Sequence, residues 1–144
     1  MIYQHLLVAI DLSKDCHTIL QRAESLAERL DALLSVVHVV EPMSMAFGGD
    51  VPMDLAALQQ QQLDQAREQI NSFAARHPQI PAEAWHLEFG PPRQEIHRLA
   101  KDLGCDLIIS GSHGRHGLSL LLGSTSNDLL HGATCDVLAV HLDK

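Results

Sequence analysis

The stretch Leu6-Leu-Val-Ala-Ile10-Asp11 decides how the rest of the chain is read. An unbroken apolar run closed by a carboxylate is the pattern of a strand buried on both faces, which is the condition of strands in parallel sheets. Beyond Asp11, Ser13 is a candidate cap, and Ile19, Ala23, Leu26, Ala27 and Leu30 recur at helical spacing with Arg22, Glu24, Glu28 and Arg29 on other faces. An amphipathic helix over about 14–31 is predicted. Leu33 to Val40 is a second valine-rich buried run, ended by a segment from Glu41 to Asp50 that contains Pro42, Gly48 and Gly49.

The same alternation continues to the end of the chain. Leu55, Leu58, Leu63, Ala66, Ile70 and Phe73 mark a long helix that stops near His77-Pro78, and its Gln59–Gln62 run suits a helix. Trp85 to Phe89 reads as a third strand, Gly90-Pro91-Pro92 as a turn opening a helix, and Ile96, Leu99, Ala100 and Leu103 as that helix's buried stripe, ended by Gly104. Cys105 to Ser110 is a fourth strand, a last helix is expected from near Ser124 to near Gly132, and Asp136 to Leu142 is a fifth strand. Strict alternation without a break in composition predicts one domain over 1–144: an α/β fold with a single open five-stranded parallel sheet and helices on both faces. In such sheets ligands bind beyond the carboxyl ends of the strands where the strand order reverses. By analogy, a 2-1-3-4-5 order is expected, with the reversal beside the first strand.

Composition narrows the partners. The 144 residues are 46% hydrophobic and 19% charged, which excludes disordered and low-complexity classes. Ten Lys and Arg against eighteen Asp and Glu leave a formal charge of −8, a field that opposes nucleic acid and anionic membranes. Cys16, Cys105 and Cys135 are far apart and odd in number, so neither a disulfide framework nor a C-x-x-C zinc pattern is present. The first apolar run is too short for a signal peptide, and no stretch approaches the ~18–20 apolar residues of a membrane span. A cytoplasmic protein is expected.

The segment from Ser110 to Thr125 is where chemistry concentrates. Gly111, Gly114, Gly117 and Gly123 fall between a buried strand and a helix start, so backbone N–H groups can turn toward one point and form an anion cradle. Ser124 and Thr125 add hydroxyls, and Arg115 can approach an outer phosphate. The plainer reading is that these glycines only relieve a tight bend. Neither G-x-x-x-x-G-K-[ST] nor G-x-G-x-x-G is present, nor a G-x-S-x-G elbow for acyl transfer. Ten histidines include the neighbours His113 and His116, but no Cys or carboxylate stands at a supporting spacing, so no metal site is expected and polar loop histidines are the simpler reading. Met43, Met45 and Phe47 suit a lid or a partner contact no better than ordinary packing.

On these residues the chain resembles the universal stress proteins of the UspA superfamily. The strand closing on Asp11, the Val37-His38-Val39-Val40 strand end, the Gly90-Pro91 turn and the final third from Asp106 to Val140 carry the likeness. The family's nucleotide-binding members show Gly, two residues, Gly, nine residues, then Gly with Ser or Thr. Gly111, Gly114 and Gly123-Ser124 match, except that residues 115 to 122 number eight. The resemblance implies a Rossmann-like fold of the adenine nucleotide alpha hydrolase type that binds ATP, with AMP or ADP left open and Mg²⁺ as a companion. It places Asp11 near the ribose or a cation, Val39 against the adenine through its backbone, and Gly111, Gly114, Gly123, Ser124 and Thr125 at the phosphates, with no catalytic residue. No dedicated general base or lysine for phosphoryl transfer is evident, so slow hydrolysis at most is expected. Val137, Leu138, Val140 and Leu142 would make an unpaired terminal strand prone to association, and the resemblance implies a homodimer paired through this strand, residues 136–142. The alternative is a dimeric interaction module of the same fold that binds no nucleotide. A receiver domain is excluded, because Leu12 follows Asp11 and no late lysine precedes Lys144.

Overall fold

A computed structural model describes residues 2–42, 55–111, 129 and 132–142. Its elements follow the predicted alternation: β1 (His5–Ala9), α1 (Cys16–Leu30), β2 (Leu33–Val40), α2 (Leu55–Arg76), a short 3₁₀ turn (Ala82–Ala84), β3 (Trp85–Phe89), α3 (Pro92–Leu103), β4 (Leu107–Gly111) and β5 (Asp136–Val140). Of the expected last helix, Leu129 is described; it is helical and buried, and its carbonyl accepts a 2.9 Å hydrogen bond from His97 Nε2. Met43, Met45 and Phe47 lie outside the described residues.

All four strand pairings are parallel, and the order is β3-β2-β1-β4-β5. The expected 2-1-3-4-5 order is therefore wrong: the chain adds β2 and then β3 on one side of β1 before crossing to add β4 and β5 on the other. Hydrophobic periodicity reports how deeply a strand is buried and is blind to which neighbour it takes. The reversal still falls beside the first strand, between β1 and β4.

The pleat divides the core. Leu6 and Val8 of β1 point into one layer with Ile10, Val36, Leu107 and Ile109, covered by Ile19, Leu20, Ala23 and Ala27 of α1 and joined by Phe73 of α2. Leu7 points into the other, with Val37, Ile108, Leu129 and the Ile96, Leu99 and Ala100 stripe of α3. Successive side chains on a strand face opposite ways, so a strand filled on both faces must be apolar throughout, as residues 6–10 are.

Local signals set the helix ends with one exception. Gly104, at φ 74°, closes α3 in the left-handed conformation that glycine adopts without strain, and its N–H reaches back to the helix. Helix α1 starts later than predicted. Ser13 does not cap it; Ser13 N–H donates to Asp11 Oδ1 at 3.0 Å, residues 13–15 form a turn, and Asp15 takes the cap position. A carboxylate two residues upstream competes for the same backbone donors as a helix, and here it wins.

Because Ile108 is fully buried between α3 and the Leu7 face of β1, its truncation tests this layering. Ile108→Ala is expected to lower unfolding free energy by about 2–5 kcal/mol, read from the denaturant midpoint.

Candidate functional site

Three consecutive strands, β2, β1 and β4, deliver the sequence candidates to one edge of the sheet. Asp11 follows β1, Gly111 ends β4, and Val39 is the penultimate residue of β2. In the β1–β4 register Val8 faces Ile109, so two residues further the chain sets Ile10 level with Gly111. Asp11 and Gly111 thus stand at the carboxyl edge on either side of the reversal, where diverging connections leave a crevice in open α/β sheets. Gly114, Arg115, Gly123, Ser124 and Thr125 lie outside the described residues, as do His113 and His116.

The Asp11 carboxylate is held in place. Its Oδ1 accepts from Ser13 N–H at 3.0 Å and from the Cys16 thiol at 3.4 Å. Burial, reinforced by the adjacent Asp11 charge, pushes the Cys16 thiol up to about 12, so it is protonated at neutral pH and acts as a donor, not as a nucleophile. Between them Leu12 adopts φ 66°, a left-handed conformation that costs a branched residue energy and is kept where surrounding structure enforces it.

Val39 is half-buried against the α3 layer, so its side chain packs and only its backbone is suited to meet a ligand. Gly111 has a reason for being glycine that sequence reading did not supply. A methyl group at this position would lie 2.9 Å from Ile19 Cδ1 and 2.9 Å from Leu142 Cδ1, so the missing side chain lets α1 and the chain after β5 close over the end of β4.

His38 completes this edge, and sequence reading had not assigned it a role. Its Nδ1 lies 2.8 Å from the Ile10 carbonyl, while Ile10 N–H donates to Val37 O at 2.9 Å. Both backbone groups of the residue before Asp11 are therefore held by β2. Burial lowers the imidazole below its ordinary range, outweighing the opposing pull of the Ile10 bond and of Asp11. A neutral ring that donates through Nδ1 carries its lone pair on Nε2, so His38 adds an acceptor at this edge. The only signal in the sequence was a histidine within a mostly apolar strand that also carries Ser35.

Among the described residues no group of three or more His, Cys, Asp or Glu side chains converges as metal ligands would. Nor, among them, is any helix long and apolar enough to cross a membrane.

Comparison with known proteins gives this geometry a context. The model of the Universal stress protein family matches residues 2–141. Universal stress protein A homolog 1 of Coxiella burnetii is 39% identical over 140 residues, covering 97% of each chain. Among solved structures, universal stress protein UspA from Lactobacillus plantarum superposes with a TM-score of 0.76 at 23% identity, over 97% of this chain and 99% of that one. A universal stress protein solved in complex with cAMP superposes at 0.60 with 22% identity, over 98% of each.

The hold of His38 on Ile10 is testable by a substitution that keeps bulk and removes the donor. His38→Leu is expected to destabilise the fold by about 1–3 kcal/mol in chemical unfolding, the cost of a carbonyl that loses its partner in a partly buried site. A loss below about 0.5 kcal/mol would show that the carbonyl is satisfied without the ring.

Proposed function

Since the chain belongs to the universal stress protein family, we propose that it is an adenine-nucleotide-binding stress-response protein of the cytoplasm, in which bound ATP tunes conformation or association instead of fuelling rapid turnover. The observation that carries this reading is the meeting of Asp11, Val39 and Gly111 at the carboxyl edge beside the strand-order reversal. The cAMP complex of a structural neighbour supports it, because that protein has the same fold and holds an adenine nucleotide.

In this reading the residues divide the ligand between them. Asp11, fixed by Ser13 N–H and Cys16, meets the ribose or a hydrated Mg²⁺. Val39 offers backbone groups to the adenine. Gly111 and Gly114 offer backbone N–H groups, Gly123, Ser124 and Thr125 meet the phosphates, and Arg115 takes an outer phosphate. AMP and ADP fit the same base and ribose contacts. Cys16 is held as a thiol and so offers no nucleophile, and in this reading the chain is a binder more than an enzyme.

One observation favours the second reading, a dimeric interaction module without nucleotide. Gly111 is closely packed by the ends of Ile19 and Leu142, so its presence does not by itself demand a phosphate, and the connection from Gly114 to Gly123 is one residue short of the family spacing. Calorimetric titration of nucleotide-stripped protein with ATP and Mg²⁺ separates the two. Saturable binding in the wild type that Gly114→Val abolishes, with unfolding unchanged, is expected for a nucleotide site; absence of heat in the wild type would establish the module.

The homodimer belongs to the same proposal. Strand β5 is one of the two outer strands of the sheet, and Leu138 on it is 38% exposed. An open apolar edge favours pairing with a second copy, and a charge there opposes it. Leu138→Lys is expected to turn a dimer into a folded monomer by light scattering, whereas an unchanged mass would place the contact elsewhere.

A further inference from the structure

Away from the carboxyl edge, a continuous line of side chains ties α1 to the end of α2. Arg76 Nη1 lies 3.1 Å from His17 Nε2, His17 Nδ1 lies 3.0 Å from His77 Nε2, and His77 Nδ1 lies 3.1 Å from Glu24 Oε1. The two imidazoles meet edge to edge and nearly coplanar, with centroids 5.2 Å apart and planes 20° apart, and His17 also packs on Phe73 at 4.7 Å. His77 is 6% exposed.

The direction of every hydrogen bond in this line follows from its two ends. A guanidinium can only donate, so His17 Nε2 accepts and the proton of His17 is on Nδ1. That proton is given to His77 Nε2, which therefore accepts. The proton of His77 is then on Nδ1, where the Glu24 carboxylate receives it. Three bonds are made with both rings neutral.

We propose that the Arg76–His17–His77–Glu24 line is an acid-released clasp, which fastens the end of α2 to α1 while both imidazoles are neutral and opens when either is protonated. A proton added to His17 enters at Nε2 and faces the Arg76 donor. One added to His77 enters at Nε2 and faces His17 Nδ1–H; moving the His17 proton to its other nitrogen only transfers the conflict to Arg76. Glu24 can hold a His77 imidazolium, yet one of the other two bonds is still lost and a positive charge is brought toward the guanidinium. Among the described residues, the titratable and charged groups facing His17 are His77 and Arg76 from the α2 side, and those facing His77 are Glu24 and His17 from α1.

The clasp matters because α2 is shallowly seated. Of its 22 residues Ala66 and Ile70 are buried while Leu55, Leu58, Leu63, Phe73 and Ala74 are only half-buried, and helices with few fully buried apolar contacts open locally at modest cost. Helix α1 starts five residues after Asp11, so release loosens the layer that continues into the carboxyl edge. Burial, then the His77 ring and the Arg76 guanidinium, hold His17 below its ordinary value. With the folded value below that of an unfolded chain, about 6.5, the contribution of the clasp is complete above that pH and is lost as the pH falls through the lowered value.

Hydrogen exchange of the full chain, followed by mass spectrometry at pH 7.5 and 5.5 and corrected for intrinsic rates, tests the clasp. Protection of amides 66–77 is expected to fall at least about tenfold on acidification in the wild type. In the His17→Phe, His77→Phe double variant it should already be low at pH 7.5 and change little with pH. A wild-type change within about twofold, or the same pH response in the double variant, would overturn the proposal. Should the double variant not fold, ¹⁵N NMR of the wild-type imidazoles decides: both rings must be Nδ1–H tautomers at pH 7.5, and an Nε2–H form of either one refutes the clasp.

Discussion

Strand β1 has no face left for water, and the rest of the molecule is arranged to meet that constraint. Leu6, Leu7 and Val8 are fully buried, Leu7 into the layer under α3 and its two neighbours into the layer under α1. Both faces need a covering helix layer and both edges need a paired strand, so β2 and β4 must flank β1. The lower end of the strand is secured as well. The Asp106 carboxylate accepts from Gln4 N–H and His5 N–H, and Tyr3 O–H donates to Asp136, tying the entry of β1 to those of β4 and β5. Those backbone bonds outweigh burial and hold the Asp106 carboxyl below its usual range.

The candidate site is the opposite end of the same strand. Helix α1, which follows β1, packs on one face of the sheet, while α3 and Leu129 pack on the other. The β1–β4 register brings the ends of the two strands, and with them Asp11 and Gly111, side by side. The clamp on Ile10 from Val37 and His38 keeps the turn at Asp11 from following the strand outward, and the left-handed Leu12 marks where the backbone takes the strain. Folding and positioning are thus one problem at this edge, since Ile10 is a core residue whose successor is a candidate ligand group.

Asp11, Val39 and Gly111 were legible because each terminates or nearly terminates a buried apolar run, and run ends mark strand ends whatever the strand order. For that reason the mistaken order left the position of the site unchanged: 2-1-3-4-5 and 3-2-1-4-5 both reverse beside β1. The start of α1 was misplaced because Ser13 has the chemistry of a cap, while its N–H had a nearer acceptor in Asp11. Histidines that sequence reading weighed only as metal ligands or polar loop residues have structural roles in several places. His38 holds a backbone carbonyl, His77 is buried, and His17 and His77 join helices 60 residues apart in sequence.

What the sequence by itself determined is therefore the set of local decisions: which runs are buried strands, which segments are amphipathic helices, the α/β class, and the family through its spaced glycines and strand ends. Each is an inference from neighbours within a few positions, where side-chain period and backbone preference act. Only the tertiary structure decided which strands pair, why Gly111 carries no side chain, and that Arg76, His17, His77 and Glu24 share one line of hydrogen bonds. These depend on atoms brought together from distant segments, and contact of that kind leaves no periodic trace along the chain.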